Sequence, residues 1–198
     1  MQSISTAIEG VHLIQLAPYE DERGFFSRTY CRQWFDEHGL AHHIEQCNLV
    51  RNTARGTLRG IHFHVPPMGE VKIVQCVRGA VYDVVVDLRV ESNTYGQWNA
   101  VELRDNNPQV LYLPKGVGHG YQTLEPETYV TYFMSESAQP ETERGIAWND
   151  TSLQIPWPIT QPILSVRDRS HPLFDFDHYF REQTAMIRSL PSHVPSVA

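Results

Sequence analysis

A chain of 198 residues, 41% hydrophobic and 20% charged, can bury a core without disulfides or a structural metal, and it reads as one domain, residues 1–180, with a tail. No run approaches the roughly 18 apolar residues that a membrane span needs, so a soluble protein with no membrane partner is expected. The formal net charge of -7, from 16 basic and 23 acidic residues, excludes a general nucleic-acid binder, which needs a basic surface to displace counterions from phosphates. A small anionic ligand needs only a local arginine cluster, and "ARGTLRG" (54–60) offers one.

The start, "MQSISTAIEG", lacks the basic and then apolar pattern of an export signal, which leads to a cytoplasmic expectation. Three cysteines without close spacing, Cys31, Cys47 and Cys76, suit reduced thiols in packing roles and form no zinc-type pair. Short segments of alternating apolar and polar residues predict strands in chain order: "GVHLIQL" (10–16), "GFFSRTY" (24–30), "IEQCNLVRN" (44–52) and "LRGIHFHV" (58–65). "CRQWFDEHGL" (31–40) reads as a short helix ended by Gly39. In "EVKIVQCVRGAVYDVVVDLRV" (70–90), two β-rich runs meet at Arg78-Gly79 and predict a hairpin. "WNAVEL" (98–103), "VLYLPKG" (110–116), "HGYQTL" (119–124) and "TYVTYFM" (128–134) complete an all-β sandwich or barrel. Beyond Trp148, prolines at 156, 158, 162 and 172 predict loops and short turns wrapped around it, and residues 181–198 read as a loosely ordered tail.

The chemistry concentrates around "HFH". On a strand His62 and His64 share one face while Phe63 takes the other, so both imidazoles can enter one cavity. Two functional readings follow. Gly56, His62, His64, Glu70 and Gly79, followed by Pro114, Gly116 and His119, resemble the two motifs of metal-binding cupins, where three histidines and a glutamate hold iron, manganese or zinc. Alternatively a histidine held by a carboxylate removes a proton from carbon, Lys72 neutralises the oxyanion, and Tyr132 returns a proton. His64, His171 and His178 read as hydrogen-bonded structural residues.

"DERGFF" (21–26), "LRGIHFH" (58–64), "KIVQCVRGAVYDVVVDLR" (72–89), "TYGQW" (94–98), "LPKGVGHGY" (113–121), "WND" (148–150) and "ILSVRD" (163–168) together carry a resemblance. The chain resembles the dTDP-4-dehydrorhamnose 3,5-epimerases, cupin-fold epimerases of nucleotide deoxysugar synthesis. The resemblance implies an all-β, cupin-type jelly-roll barrel with a few short peripheral helices, a homodimer, a nucleotide-diphosphate sugar substrate, and a site with no metal or organic cofactor. It implies His62 as base, Asp168 as the carboxylate behind it, Lys72 near the sugar ketone and Tyr132 as the acid on the opposite face. It also implies substrate binding by Arg23, Gln46, Asn48, Arg59, His119, Glu143 and Arg167.

Four positions depart from the family pattern. Arg28 stands where an acidic residue is common, Cys47 replaces an aspartate, His64 replaces a glutamine, and "ESAQP" (136–140) lacks the aromatic residue that often stacks on thymine. The catalytic set is intact while the base-recognition set, Arg28 included, is altered. The same proton chemistry on a different nucleotide sugar, or inversion at one carbon only, is therefore expected, with a metal-dependent cupin enzyme and a non-catalytic sugar-nucleotide binder as the alternatives.

Overall fold

The computed structural model describes residues 1–41, 43–66, 69–138 and 140–189. One sheet has six strands in the order β1 (Gln2–Ser5), β2 (His12–Gln15), β10 (Gln109–Leu113), β7 (Lys72–Arg78), β12 (Thr128–Met134) and β5 (Gln46–Asn52). The other has five: β13 (Glu143–Gly145), β6 (Leu58–His64), β11 (Val117–Thr123), β8 (Ala80–Asp87) and β9 (Trp98–Arg104). A separate hairpin joins β3 (Tyr19–Asp21) to β4 (Gly24–Phe26), and the helices are α1 (Arg32–Glu37), α2 (Val166–Arg169) and α3 (Phe176–Ser189). The class is all-β as expected. The two sheets remain open layers, so the expected barrel is a sandwich.

The pattern of apolar residues explains the layering. Val74, Cys76, Leu111, Leu113 and Val130 of the first sheet pack between the layers against Val81, Val85, Leu103 and Tyr121 of the second. The valine-rich β8 is buried on both faces, because Val84 and Val86 point outward under Ile146, Leu153, Trp157 and Tyr179 of the C-terminal segment. On the other flank α1 sets Phe35, with Leu40 beyond it, over Ile14, Ile73, Val110 and Tyr112. Each such side chain removed from water contributes about 1.5–3 kcal/mol. Gly39 ends α1 at φ +64, the left-handed conformation that helix C-termini favour.

Three sequence expectations need correction. Residues 70–90 form no hairpin: β7 pairs with β10 and β12, whereas β8 pairs with β9 and β11. Gly79, at φ +77, turns the chain from one layer into the other, and a Cβ there would come within 2.6 Å of Thr128 Oγ1. Strands that face each other across a core show the same alternation as strands that pair, so the pattern did not distinguish the two. Second, the segment beyond Trp148 ends in a 14-residue helix, and residues 181–189 of the expected tail are its second half; residues 190–198 lie outside the described residues. No proline falls between 172 and the end of α3 at Ser189, Asp175 caps α3 by accepting the His178 N–H at 2.8 Å, and Tyr179 packs edge-on against Phe63. Third, of the cysteines only Cys76 is buried, where burial pushes its thiol up to about 12; Cys47 is exposed. Among the described residues no helix is long and apolar enough to cross a membrane.

Candidate active site

The site opens between the layers, and a bulge in β6 aims it. His62 lies opposite His119 of β11, and Arg59 opposite Tyr121, so three steps on β6 match two on β11. The extra residue lies beside Gly60, at φ +110, where a Cβ would come within 2.6 Å of the His119 carbonyl. Residues three apart on a regular strand face opposite ways. The bulge lets Arg59 and His62 line the same cavity, of about 180 Å³, with Asn48, Lys72, His119, Tyr121, Tyr132 and Met134. Asn48, Lys72, Tyr132 and Met134 come from the six-stranded sheet and the others from the five-stranded one, so His62 and Tyr132 stand on facing walls.

Behind His62 sits Asp168. Its Oδ1 lies 2.6 Å from His62 Nε2 and accepts the Gly60 N–H at 3.3 Å, while Oδ2 accepts the Ser165 hydroxyl at 2.7 Å. Ser165 caps α2 by accepting the Asp168 N–H at 3.0 Å, so the helix start fixes the carboxylate. Burial alone would raise this carboxyl; the hydrogen bonds from His62 and Ser165, the His62 charge and the Gly60 N–H outweigh it and bring the pKa to about 2. An ionised carboxylate only accepts, so His62 Nε2 carries a hydrogen, and in the neutral form of the ring Nδ1 holds the lone pair. Nδ1 lies 3.9 Å from Glu143 Oε1, and Glu143 Oε2 takes Arg167 at 3.0 Å.

On the facing wall the Tyr132 hydroxyl lies 3.1 Å from that of Tyr121, which in turn lies 3.3 Å from Asn52 Nδ2; Asn52 Oδ1 accepts from Arg59 Nε at 2.9 Å. Burial, and then the neighbouring Tyr121, raise the Tyr132 phenol well above its ordinary value, so it holds its proton at neutral pH and can give one. His119 Nε2 lies 2.9 Å from the buried Asp83 carboxylate. Lys72 Nζ lies 2.8 Å from Glu70 Oε1, and His64 Nε2 lies 3.3 Å from the same oxygen, with His64 Nδ1 2.9 Å from Thr142 Oγ1. The neighbouring histidines of "HFH" therefore serve different carboxylates.

Of the residues expected at a site, His62, Lys72, Tyr132, Asn48, Arg59 and His119 line one cavity, and Asp168, Glu143 and Arg167 stand behind or beside His62. Gln46 lies on β5 opposite Met134, a cavity residue. Arg23 and Arg28 are not among the lining residues; Arg23 is 84% exposed on the β3–β4 hairpin and paired with Asp21. The metal-cupin set His62, His64, Glu70 and His119 does not converge on one point among the described residues, since each histidine faces a separate carboxylate. Sequence reasoning missed Tyr121, Met134 and Asp83. The alternation of "HGYQT" and "VYDVV" could have placed Tyr121 and Asp83 on the inner face with His119.

The model of the dTDP-4-dehydrorhamnose 3,5-epimerase family matches residues 5–175. The chain belongs to the dTDP-4-dehydrorhamnose 3,5-epimerase family. It is 38% identical to the dTDP-4-dehydrorhamnose 3,5-epimerase of Sinorhizobium fredii, over 85% of this chain and 87% of that one. It is 44% identical to the dTDP-4-dehydrorhamnose 3-epimerase of Streptomyces niveus, over 82% of this chain and 78% of that one. The crystal structure of dTDP-4-dehydrorhamnose 3,5-epimerase from Bacillus anthracis with TDP and PPi bound superposes with a TM-score of 0.85 at 39% identity, covering 87% of this chain and 99% of that one. In this epimerase-family chain the match ends just before α3, which begins at Phe176.

Proposed function

We propose that the chain is a cofactor-independent, cytoplasmic epimerase that inverts C3, C5 or both of a nucleotide-linked 4-keto-6-deoxy sugar, working as one jelly-roll unit over residues 1–180. The C4 ketone acidifies the hydrogens on C3 and C5, because loss of either leaves an enolate with its charge on oxygen. His62 Nδ1 takes the proton, and Asp168 stabilises the imidazolium through Nε2–H. Lys72, anchored by Glu70, faces the enolate oxygen, a contact that elsewhere contributes about 2.7–4 kcal/mol. Tyr132, neutral and on the other wall, returns a proton to the opposite face of the carbon. The observation that carries the reading is the ionised Asp168 behind His62, across a cavity from a protonated phenol.

Arg59 and His119 would bind the diphosphate end with Asn48 and Gln46 along the same groove, because guanidinium groups match phosphate oxygens in pairs. Glu143 and Arg167 would hold the sugar near His62. Binding of TDP by the Bacillus anthracis relative favours a thymidine nucleotide. The 3-epimerase named among the relatives, 44% identical, favours inversion at C3 alone. A homodimer is part of the reading: Tyr19, Phe25 and Phe26 of the hairpin are 70%, 60% and 69% exposed, and would carry Arg23 and Arg28 to the site of a second copy.

Incubation with dTDP-4-keto-6-deoxyglucose in deuterated water tests the proposal, with label followed at C3 and C5 by NMR. Deuterium at C3, C5 or both is expected. Tight binding without exchange would leave a sugar-nucleotide binder and overturn the enzyme reading.

A further inference from the structure

The reaction above makes no use of His171. It follows α2 directly, its side chain is 10% exposed, and its ring meets that of His62 edge to face with 5.4 Å between centroids. Among the described residues no hydrogen bond reaches its buried Nε2. Buried polar atoms are paired as a rule, because an unpaired one costs about 1–3 kcal/mol. Space for the ring is made by Gly145 of β13, where any Cβ would overlap it.

That nitrogen is aimed at atoms of the right kind to share an ion. One ligand atom each from His62, Asp168 and His171 lie within 4.8 Å of one another, the one such trio among the described residues. Two imidazoles and a carboxylate suit zinc at about 2.0–2.2 Å, and donors around a tetrahedral zinc sit about 3.3 Å apart. The present separations straddle that spacing: 2.6 Å from Asp168 Oδ1 to His62 Nε2 and 3.6 Å to His171 Nε2. Ser165 already braces the far oxygen of Asp168, the kind of outer support that metal ligands need. Of the three, His62 lines the cavity and is 26% exposed, so solvent reaches one side of the trio.

We propose that His62, Asp168 and His171 bind one zinc ion reversibly, and that the ion silences the site. Zinc takes the Nε2 lone pair of His62, and the ring changes tautomer, its proton moving through solvent from Nε2 to Nδ1. The ring stays neutral and no net proton is released. With Nδ1 protonated, His62 has no lone pair to receive hydrogen from carbon. The binding stands on geometry alone, whereas the silencing rests on the epimerase reading.

The test uses the full chain stripped of metal by a chelator. Zinc is titrated against a chromophoric chelator, cobalt(II) is added separately for its visible spectrum, and deuterium exchange into the 4-keto sugar is followed with zinc and then with EDTA. Expected are one zinc per chain, visible cobalt bands of a low-coordinate site, and exchange that falls at least about tenfold and returns with EDTA. His171→Asn should keep metal-free exchange, lose the cobalt bands and bind zinc about 10–100-fold more weakly. His171→Leu, which keeps bulk beside Gly145, repeats the arm if the first variant folds poorly by circular dichroism. The inference is overturned by no equimolar binding, by unchanged zinc affinity in both variants, or by full exchange from the zinc-saturated chain. No exchange from the metal-free native chain would overturn the epimerase reading, and the silencing with it. His171-dependent binding in the same sample would still support the ion site.

Discussion

The cavity between the layers and the β3–β4 hairpin are built in opposite ways. In the cavity the groups given a chemical role are each held by a buried partner: His62 by Asp168, Lys72 by Glu70, Tyr132 by Tyr121 and His119 by Asp83. On the hairpin, the exposed Arg23 pairs with Asp21 two residues away, and three aromatic rings stand in water. The cavity groups are thus positioned within one chain, while on the proposed reading the hairpin is completed by a second copy. Single substitutions in the two regions should therefore damage different steps.

The largest effect is expected from His62→Ala, which should cut deuterium exchange about 10²–10⁴-fold with the protein still folded, as general-base loss does. Tyr132→Phe should sharpen the contrast between the walls: exchange persists, because His62 still removes hydrogen, while formation of the inverted sugar falls steeply. NMR on one sample reads both. Arg23→Ala should raise KM and leave kcat near native. If the hairpin reaches a second copy, mixing it with His62→Ala chains should yield a fraction of sites with native KM, since one site of the mixed pair is then native; equal kcat loss for Arg23→Ala and His62→Ala would erase the comparison. Glu70→Gln should give a smaller, several-fold loss in kcat by freeing Lys72, with KM little changed.

The smallest effect is on acid stability. The folded pKa of Asp168, about 2, lies below the ordinary value near 3.9. Its contribution is therefore complete above about pH 4 and is lost as pH falls through about 2. Asp168→Asn should flatten that part of a denaturation profile, lowering stability most near neutral pH, where the carboxylate's contribution is complete, and least below about pH 2. An unchanged acid limb would mean that the carboxylate is held no more tightly folded than unfolded.

Much of this was legible in the sequence, and for identifiable reasons. Strands announce themselves by alternation, so β5, β6 and β12 fell within the expected segments, and β9, β10 and β11 overlapped theirs with one or two residues outside. Alternation reports a buried face without saying what buries it, which is why β7 and β8 were read as a hairpin although they lie in opposite layers. The proximity of His62 and Asp168, 106 residues apart, came from the family motifs and not from spacing. That Arg59 shares a wall with His62 depends on the bulge at Gly60, which only the glycine inside "LRGIHFH" hinted at. α3 was hidden because the prolines before it dominated the reading of the whole segment.

The position of β5 carries a last consequence. At the edge of its sheet it is hydrogen-bonded, among the described residues, by β12 alone, residues 46–52 against 128–134. On a ribosome, Asn48 and its neighbours emerge long before the strand that must hold them, and closing so long a loop is entropically slow. The nascent chain must wait for more than half its length before this wall can exist, and until then an unpaired strand edge is open to chaperones or to other copies.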